Sequence, residues 1–309
     1  MNDQPILVVG VDGTDQSLRA VRYAVAEAAR TGARLRLVHA EPELVPMAPM
    51  LPLVSVESLD EVSERILNEA YGVALDSGFE GQVEKVVRRG QRVHVLVNAS
   101  EDAALVVLGH RDRSVLGRVL TSSTTSGVAA HAACPVVCVP STWTAEGPRG
   151  RVVVGVEDPE RAHEELAAAF AAASVRAAHL IVLHTWKLQN PYDDIIVSRV
   201  ALEEWREWAT GALERVLRDW QVAYPEVDVE IDVRHQHPAP ALVGASEGSD
   251  LLVIGRHGHL AAFGMQLGSV ARTLIREARC PVEIAPIHRR STTEAGERAR
   301  TPDEVAPRS

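Results

Sequence analysis

The chain has 309 residues, of which 46% are hydrophobic and 4% aromatic, and its formal net charge at pH 7 is −10. This length corresponds to about two domains, each with enough apolar residues to bury a core. The negative charge, with no long basic run, argues against nucleic acid as the main partner, because a phosphate backbone would be repelled.

The first residues, MNDQPILVVGVD, are acidic rather than basic and contain only a strand-length apolar run, so neither a secretory signal nor an anchor is predicted. No apolar segment approaches the length of a membrane span. The cysteines Cys134, Cys138 and Cys280 are odd in number and lack metal-like spacing, which fits reduced thiols. We therefore expect a cytoplasmic protein that does not contact membranes, with Cys134 and Cys280 as small buried residues.

Short β-branched runs alternate with longer helical patterns along the chain, which is typical of successive βαβ units. Five strands are predicted in the first half, at Ile6–Val11, Ala33–Ala40, Gln82–Arg88, Ala104–Gly109 and Pro135–Pro140. Five more are predicted in the second half, at Arg151–Val156, His179–Thr185, Val229–Arg234, Leu251–Gly255 and Pro281–Pro286. Right-handed crossovers then predict an α/β fold in which a mostly parallel, doubly wound sheet carries helices on both faces.

The two halves are an internal repeat. Gly10 returns as Gly155 and His39 as His184, each 145 residues later, and the Cys-Pro pair at Cys134 returns 146 residues later. The sequence therefore predicts two domains, at 1–140 (copy one) and 151–286 (copy two), joined by a linker at 141–150 and followed by a disordered tail at 287–309. The short linker favours a pseudo-dimer over two independent units.

The most informative loop follows the fourth strand of copy two and reads GRHGHLAAFGMQLGSV. Glycines let backbone N–H groups approach phosphate oxygens, a helix start adds its positive dipole end, and Ser269 offers a hydroxyl. Glycines in such a loop can also serve helix–strand packing alone. That alternative explains one or two of them, but it does not explain their joint spacing with Gly268 and Ser269.

The spacing of Gly255, Gly258, Gly268 and Ser269, together with the VGVDGT opening at 9–14 and the closing CPV strands, resembles the universal stress protein family. The resemblance covers about residues 5–140 and 151–286, as in a tandem member. It implies two five-stranded Rossmann-like sheets with the strand order 3-2-1-4-5. In the ATP-binding branch of the family, it also implies an adenine nucleotide held between the loops after the first and fourth strands.

The resemblance carries specific roles onto copy two. Phosphate contacts are implied for Gly258, Gly268, Ser269 and Val270, while Ile254 and Gly255 lie near the adenosine and Thr185 lies against the adenine. The acid after the first strand is Glu157, which follows Gly155 and replaces the usual Asp; it could accept ribose hydroxyl bonds or crowd the sugar. Arg256 and His257 lie within the loop and either add positive charge or are simply solvated.

Copy one keeps the expected acid after its first strand but lacks two of the expected loop glycines. Its Asp12 and Ala40 stand in fitting places, but after Gly109 the second glycine is replaced by Asp112 and the third by Ser122, so that Ser123 alone remains of the terminal pair. A carboxylate beside a triphosphate is repulsive, and a Cβ restricts backbone approach. We expect this site to be weak or empty, unless hydroxyls within 121–125, or Arg111 and Arg113, compensate.

Known catalytic motifs are missing from the sequence. Lys85 and Lys187 are its two lysines, and neither belongs to a Gly-Lys-Ser/Thr phosphate loop. His39 and His184 are expected to be structural, and the pair His235 and His237 is expected to be solvated or turn-stabilising rather than metal-binding. Trp205 and Trp208 share a helical face and are expected to pack, against the other copy or within their own.

These observations predict a cytosolic regulatory protein that binds ATP, with or without Mg²⁺, mainly in copy two, and that has at most slow ATP hydrolysis. A homodimer and a regulatory protein partner of unknown identity are expected. The alternative is a nucleotide-free interaction protein of the same fold, which dimerises by pairing of its fifth strands and whose loops are degenerate in both copies.

Overall fold

The structure is a computed structural model, and it describes residues 4–42, 56–110, 122–145, 147, 149–187, 194, 202–256, 258–261 and 264–286. The predicted tail at 287–309 and most of the loop at 111–121 that follows Gly109 therefore lie outside the described residues. Among the described helices, none combines the length and the apolar character that crossing a membrane requires.

The ten predicted strands lie within one residue of their predicted bounds. Copy one has β1 (Ile6–Gly10), β2 (Arg34–Glu41), β3 (Val83–Arg89), β4 (Leu105–Gly109) and β5 (Val136–Val139). Copy two has β6 (Arg151–Val156), β7 (His179–Trp186), β8 (Val229–His235), β9 (Leu251–Gly255), the short pair β10 (Gly258–Ala261) and β11 (Gly264–Leu267), and β12 (Val282–Ala285). The continuous β-branched runs form the central strands because both faces of a parallel sheet are covered.

Ten of these strands form one sheet in the order β3-β2-β1-β4-β5-β12-β9-β6-β7-β8. Each half has the predicted order 3-2-1-4-5, and all of its pairings are parallel. The halves join where β5 pairs antiparallel with β12, with Val137 opposite Glu283. The strands of copy two therefore end at the edge of the sheet where the strands of copy one begin.

The helices cover both faces of the sheet, as predicted for a doubly wound fold. They are α1 (Asp15–Thr31), α2 (Val56–Asp76), α3 (Arg92–Ala99), α4 (Ser122–His131), α5 (His163–Arg176), α6 (Leu202–Ala223), α7 (Pro238–Ser246) and α8 (Ser269–Glu277). On one face, α3 and α4 share a single apolar cluster with α7 and α8, so this core is continuous between the copies. On the other face, α1 with α2 and α5 with α6 cover separate clusters.

The repeat extends to individual hydrogen bonds. His39 Nδ1 lies 2.8 Å from the Val11 carbonyl oxygen, and His184 Nδ1 lies 2.9 Å from the Val156 carbonyl oxygen. Both rings are buried at the same place in their copies, next to the first strand. The prediction that these histidines are structural is confirmed.

The ends of α1 and α5 show where the repeat differs. Gly32 ends α1 with φ +67°, the left-handed conformation that glycine adopts without steric cost. Ala177 occupies the matching position after α5 with φ +46°, although its Cβ makes this conformation unfavourable. The N–H groups of both residues bond to carbonyls of the last helical turn. Copy two thus keeps the left-handed backbone conformation at this position although alanine replaces the glycine.

An ion pair connects the two copies on the α1 and α5 side. The Arg176 guanidinium donates to the Glu27 carboxylate and to the Tyr23 hydroxyl, and the Arg176 and Glu27 side chains are almost fully buried. A guanidinium withdrawn from water needs such partners. The predicted pseudo-dimer arrangement is thus held both by strand pairing and by a buried charge pair.

Candidate functional site

A cavity of about 290 Å³ opens at the carboxyl ends of the copy-two strands. It is enclosed by β6, β7, β9 and the starts of α7 and α8, through residues Gly155, Val156, Glu157, Leu183, Thr185, Pro238, Leu242, Ile254, Gly255, Gly268, Ser269, Val270 and Ala271. The crevice outside the carboxyl ends of the strands, where the strand order reverses, is where open α/β sheets bind ligands. Its volume lies near the lower end of the range of about 300–1,000 Å³ for ligand sites.

The structure brings most of the predicted copy-two residues to this cavity. Those that line it are Gly155, Glu157, Thr185, Ile254, Gly255, Gly268, Ser269 and Val270. Gly258 begins β10, and His257 lies outside the described residues. The loop between Arg256 and Gly268 contains the antiparallel hairpin of β10 and β11, which the sequence analysis did not predict.

Five apolar residues of the cavity wall were missed in the sequence analysis. They are Val156, Leu183, Pro238, Leu242 and Ala271. Leu183 could have been found, because it precedes Thr185 by two residues and side chains alternate along a strand. Pro238 and Leu242 come from α7, whose approach to the first strand leaves no local pattern. Together these side chains form the aliphatic slot of the cavity.

The start of α8 supplies hydrogen-bond donors to the same cavity. Gly268 is the N-cap residue, and it has no side chain that could accept hydrogen bonds from the N–H groups of the first turn. Among the described contacts, the first backbone hydrogen bond of α8 runs from the Arg272 N–H to the Gly268 carbonyl oxygen. Ser269, Val270 and Ala271 line the cavity at this uncapped turn. Unpaired amides at a helix start, with the positive end of the helix dipole, favour an anion.

The acid after the first strand differs between the copies. Glu157 is exposed and lines the copy-two cavity. In copy one, Asp12 Oδ1 accepts hydrogen bonds from the Thr14 hydroxyl at 2.6 Å and from the Thr14 N–H at 3.1 Å. Thr14 in turn caps α1 through the Ser17 N–H. The Asp12 carboxylate therefore already stabilises the turn that leads into its helix.

The glycines that end the fourth strands are needed for packing. A Cβ on Gly109 would lie 2.1 Å from the Gln16 carbonyl oxygen, and one on Gly255 would lie 3.1 Å from Glu165 Oε2. In both copies the first helix thus approaches the end of the fourth strand closely. The packing interpretation holds at these two positions, and at Gly255 it coexists with a place in the cavity wall.

The predicted copy-one residues can be placed only in part. Ala40 is buried near the end of β2, Gly109 ends β4, and Ser123 lies in the first turn of α4. Asp112, Arg111 and Arg113 lie outside the described residues. The prediction that copy one binds nucleotide weakly or not at all therefore stays a prediction.

Comparison with known proteins agrees with this architecture. The model of the universal stress protein family matches residues 5–140 and again residues 148–286. The chain belongs to the universal stress protein family. It is 32% identical over 301 residues to a universal stress protein of Mycobacterium tuberculosis, covering 91% of this chain and 95% of that protein. A universal stress protein of Mycolicibacterium smegmatis is 31% identical over 284 residues, covering 90% of this chain and 96% of that protein. The predicted resemblance to a tandem universal stress protein is confirmed.

Solved structures share the fold. A universal stress protein from Archaeoglobus fulgidus superposes with a TM-score of 0.66 at 18% identity, covering 93% of this chain and all of that one. A functionally unknown protein from Pseudomonas aeruginosa superposes with a TM-score of 0.55 at 14% identity, covering 92% of this chain and 93% of that one. At these identities, the likeness concerns the universal stress protein fold alone.

Arg256 was expected either to add positive charge to the phosphate loop or to be solvated. In the structure its guanidinium instead contacts the other copy. Its Nη1 donates to the Ala132 carbonyl oxygen of copy one at 2.6 Å, and the side chain is half-buried. Burial lowers the pKa of the Arg256 guanidinium from its ordinary value. The charge is thus directed toward the other copy in this tandem universal stress protein.

His235 also has a defined partner. Its Nε2 lies 2.7 Å from Asp194 Oδ1, and its ring packs on Trp186. The expectation of a solvated or turn-stabilising pair is therefore wrong for His235. Within the part of the chain that the structure describes, no group of three or more His, Cys, Asp or Glu residues could hold a metal ion.

The tryptophans after β7 form an exposed group. Trp186 stacks on Trp205 at 5.3 Å between ring centroids, and Trp205 contacts Trp208 edge to face at 6.0 Å. Trp205 is 39% exposed and Trp208 is 60% exposed. Of the packing expected for Trp208, the structure shows this contact with Trp205, and most of the Trp208 side chain is exposed to solvent.

The three cysteines are buried, as predicted for Cys134 and Cys280. They are free thiols, and burial raises the pKa of Cys134, Cys138 and Cys280 to about 12. A thiol that stays protonated at neutral pH is a poor nucleophile and a poor metal ligand. These residues act as small apolar side chains of the core.

A second depression, of about 390 Å³, lies in copy one between β2, β3 and α3. Three of its charged residues form one network: Arg36 donates to Glu84 at 2.7 Å and to both carboxylate oxygens of Asp102 at 2.8 and 2.9 Å. The hydrogen bonds of these three side chains are thus made within the protein. The copy-two cavity, with open amides beside an apolar slot, is the better candidate site.

Proposed function

We propose that this tandem universal stress protein is a cytosolic regulatory protein that binds an adenine nucleotide, with ATP as the first candidate, in the copy-two cavity. The observation that carries the proposal is the joining of an aliphatic slot to an uncapped helix start in one cavity. Nucleotide binding, rather than catalysis, is the proposed output. Because phosphates would be held by main-chain amides, Mg²⁺ is not required by this arrangement and would bind through the nucleotide.

The cavity divides into parts that match the parts of a nucleotide. The aliphatic side chains of Leu183, Leu242 and Ile254 would contact the faces of the base, and Thr185 offers a hydroxyl at the end of β7. Glu157 would accept hydrogen bonds from ribose hydroxyls at the rim. The first turn of α8, which begins at Ser269, would bind the phosphates.

Equilibrium dialysis with labelled ATP tests the proposal on the intact chain. Ser269→Ala removes the hydroxyl but keeps the amide, and we expect it to weaken binding by about tenfold, the value of one hydrogen bond to a charged group. Gly268→Ala tests the space at the N-cap, because Gly268 has φ −58°, a conformation that alanine also adopts. A loss of binding in this variant would report the added methyl group rather than backbone strain.

The repeat offers a matched control for the serine variant. Ser123 occupies in copy one the position that Ser269 occupies in copy two, at the first turn of the fourth helix. Ser123→Ala makes the same chemical change at the site that we expect to be weak or empty. We expect Ser123→Ala to bind ATP as the wild type does. The absence of saturable binding by the wild type would end the proposal.

The second candidate function is that of a nucleotide-free interaction protein of the same fold. One observation favours it: the exposed aromatic group that includes Trp205 and Trp208 is typical of a surface that meets another protein. Dialysis separates the two functions, because an interaction protein without a nucleotide site shows no saturable ATP binding.

The expected homodimer needs a surface other than the fifth strands. In this chain β5 and β12 pair with each other, so neither is open to a second copy. The edges of the ten-stranded sheet are β3 and β8. Sedimentation of the full chain over a range of concentrations tests the homodimer, which stays a prediction together with the regulatory partner.

A further inference from the structure

The copy-two loop that carries the candidate phosphate site rests partly on copy one. Its second strand, β11, packs against α4 of copy one. Leu267, the last residue of β11, is buried in the apolar cluster that also contains Val128 of α4. Leu267 directly precedes Gly268, which lines the cavity at the start of α8. The backbone that would bind phosphate is therefore built against the other copy.

Arg256 fixes the other end of this loop. Its N–H donates to the Ala285 carbonyl oxygen at 2.8 Å, which continues the pairing of β9 with β12. Its guanidinium reaches the Ala132 carbonyl oxygen at 2.6 Å, directly after α4. A charged donor with a short bond to a carbonyl is among the stronger hydrogen bonds in proteins. The loop is thus held at its start by Arg256 and at its end by Leu267, in both cases on copy one.

The sheet topology explains how this contact arises. Because β5 and β12 are antiparallel, the carboxyl ends of the copy-two strands lie beside the amino ends of the copy-one strands. Ala132 lies just before β5, at that amino edge. The loop after β9 therefore faces the turn between α4 and β5, although 124 residues separate Arg256 from Ala132.

We propose that copy one supports the copy-two phosphate loop in its binding conformation, and that Arg256 is the positioning residue of this support. The inference rests on the proposed function, because what Arg256 positions is the nucleotide's phosphate site. A loop that is already ordered binds more tightly, since less conformational entropy is lost when the ligand arrives. Arg256 acts through the loop, because its guanidinium is bonded to Ala132.

Amide hydrogen exchange of the ligand-free protein tests the support independently of any nucleotide. We expect Arg256→Ala to speed exchange in β10 and β11. Arg276→Ala is the matched control, because Arg276 also lies in copy two, is exposed and pairs only with Glu277, at 3.5 Å, among the described contacts. It should leave the exchange of the hairpin unchanged. Unchanged exchange in Arg256→Ala would overturn the inference.

Nucleotide titration of the same variants tests the consequence for binding. We expect Arg256→Ala to weaken ATP binding by about tenfold, within the usual range for coupling between distant positions, and Arg276→Ala to bind normally. Weaker binding with unchanged exchange would mean that Arg256 acts on the ligand directly, which overturns the positioning role. Faster exchange with unchanged affinity would overturn it as well.

A second pair of variants perturbs the support from copy one. Val128→Ala shortens a fully buried side chain of α4 in the cluster that contains Leu267. Val21→Ala makes the same change at a fully buried position of α1 on the opposite face of the sheet. We expect only Val128→Ala to weaken nucleotide binding. If wild type binds no nucleotide, the proposed function fails, while the exchange measurement still decides whether copy one supports the loop.

Discussion

Glu283 should make the stability of this protein fall as the pH rises. It lies on β12 opposite Val137 of β5, at the junction of the two copies. Val282 and Ile284 point into the cluster under α7 and α8, so Glu283 points to the other face, where it interacts with Arg176 and Glu27. Burial raises the pKa of Glu283 from 4.5 to about 7; Arg176 opposes this increase and Glu27 adds to it.

The sign of the effect follows from proton binding. Between about pH 4.5 and pH 7 the folded protein holds a proton on Glu283 that the unfolded chain has released, so unfolding becomes easier as the pH rises through this window. An increase of the pKa from 4.5 to about 7 lowers the free energy of unfolding at pH 8 by about 3 kcal/mol, relative to its value below pH 4.5. Because Glu283 keeps some accessible surface, this is an upper bound.

Chemical denaturation of the wild type and of Glu283→Gln between pH 5 and pH 8 measures this contribution. The glutamine variant keeps the shape of the side chain but does not titrate. We expect the stability difference between the variant and the wild type to shift in favour of the variant by about 2–3 kcal/mol between pH 5 and pH 8. Glu277→Gln, at an exposed glutamate of the same copy, is the control. A stability difference between wild type and Glu283→Gln that does not change with pH would refute the reasoning.

Three further predictions concern packing. Arg176→Met should cost about 3 kcal/mol in a denaturation experiment, because it leaves the buried Glu27 carboxylate, among its described ion pairs, with only Arg30 at 3.3 Å, and adding Glu27→Leu should recover most of the loss. Ala177→Gly should raise the free energy of unfolding by about 1 kcal/mol, since it removes a side chain from a left-handed position; no gain in melting temperature would contradict this. Gly109→Ala should destabilise by about 3 kcal/mol and Gly255→Ala by clearly less, because the first meets backbone and the second meets a side chain that can move; equal melting temperatures would disprove it.

The sheet could be predicted from the sequence because its signals are local and occur twice. Runs such as the one that forms β1 are apolar on both faces, which in a chain of alternating helices indicates a central parallel strand. The offset between Gly10 and Gly155 fixed which strands correspond. Parallel strands bring their carboxyl ends to one edge, so the loops after β6 and β9 had to meet, and with them Glu157 and Ser269.

The hairpin of β10 and β11 could not be predicted for a physical reason. Each strand has four residues, too few for a periodic pattern, and glycines that normally indicate turns begin both of them. Its packing partner, α4, lies in the other copy. A strand whose stability comes from such a distant contact leaves no signal in its own residues.

The contacts between copies were missed for the same reason. Arg256 with Ala132, and Arg176 with Glu27, are 124 and 149 residues apart. A repeat shows that two copies correspond, but it does not show which surfaces meet. Only the antiparallel pairing of the fifth strands determines that, and either orientation of the pair is compatible with the sequences of β5 and β12.

The antiparallel junction places the end of β4 and the turn that supports the copy-two loop at opposite edges of the copy-one strands. β4 ends with Gly109 at the carboxyl edge of the copy-one strands, whereas the turn at Ala132 lies at the amino edge, before β5. We therefore expect substitutions in the segment after Gly109, such as Asp112, to leave the support of the copy-two loop intact, and changes near Ala132 or Val128 to disturb it. On this expectation, copy one can lose anion binding while α4 continues to support the copy-two loop.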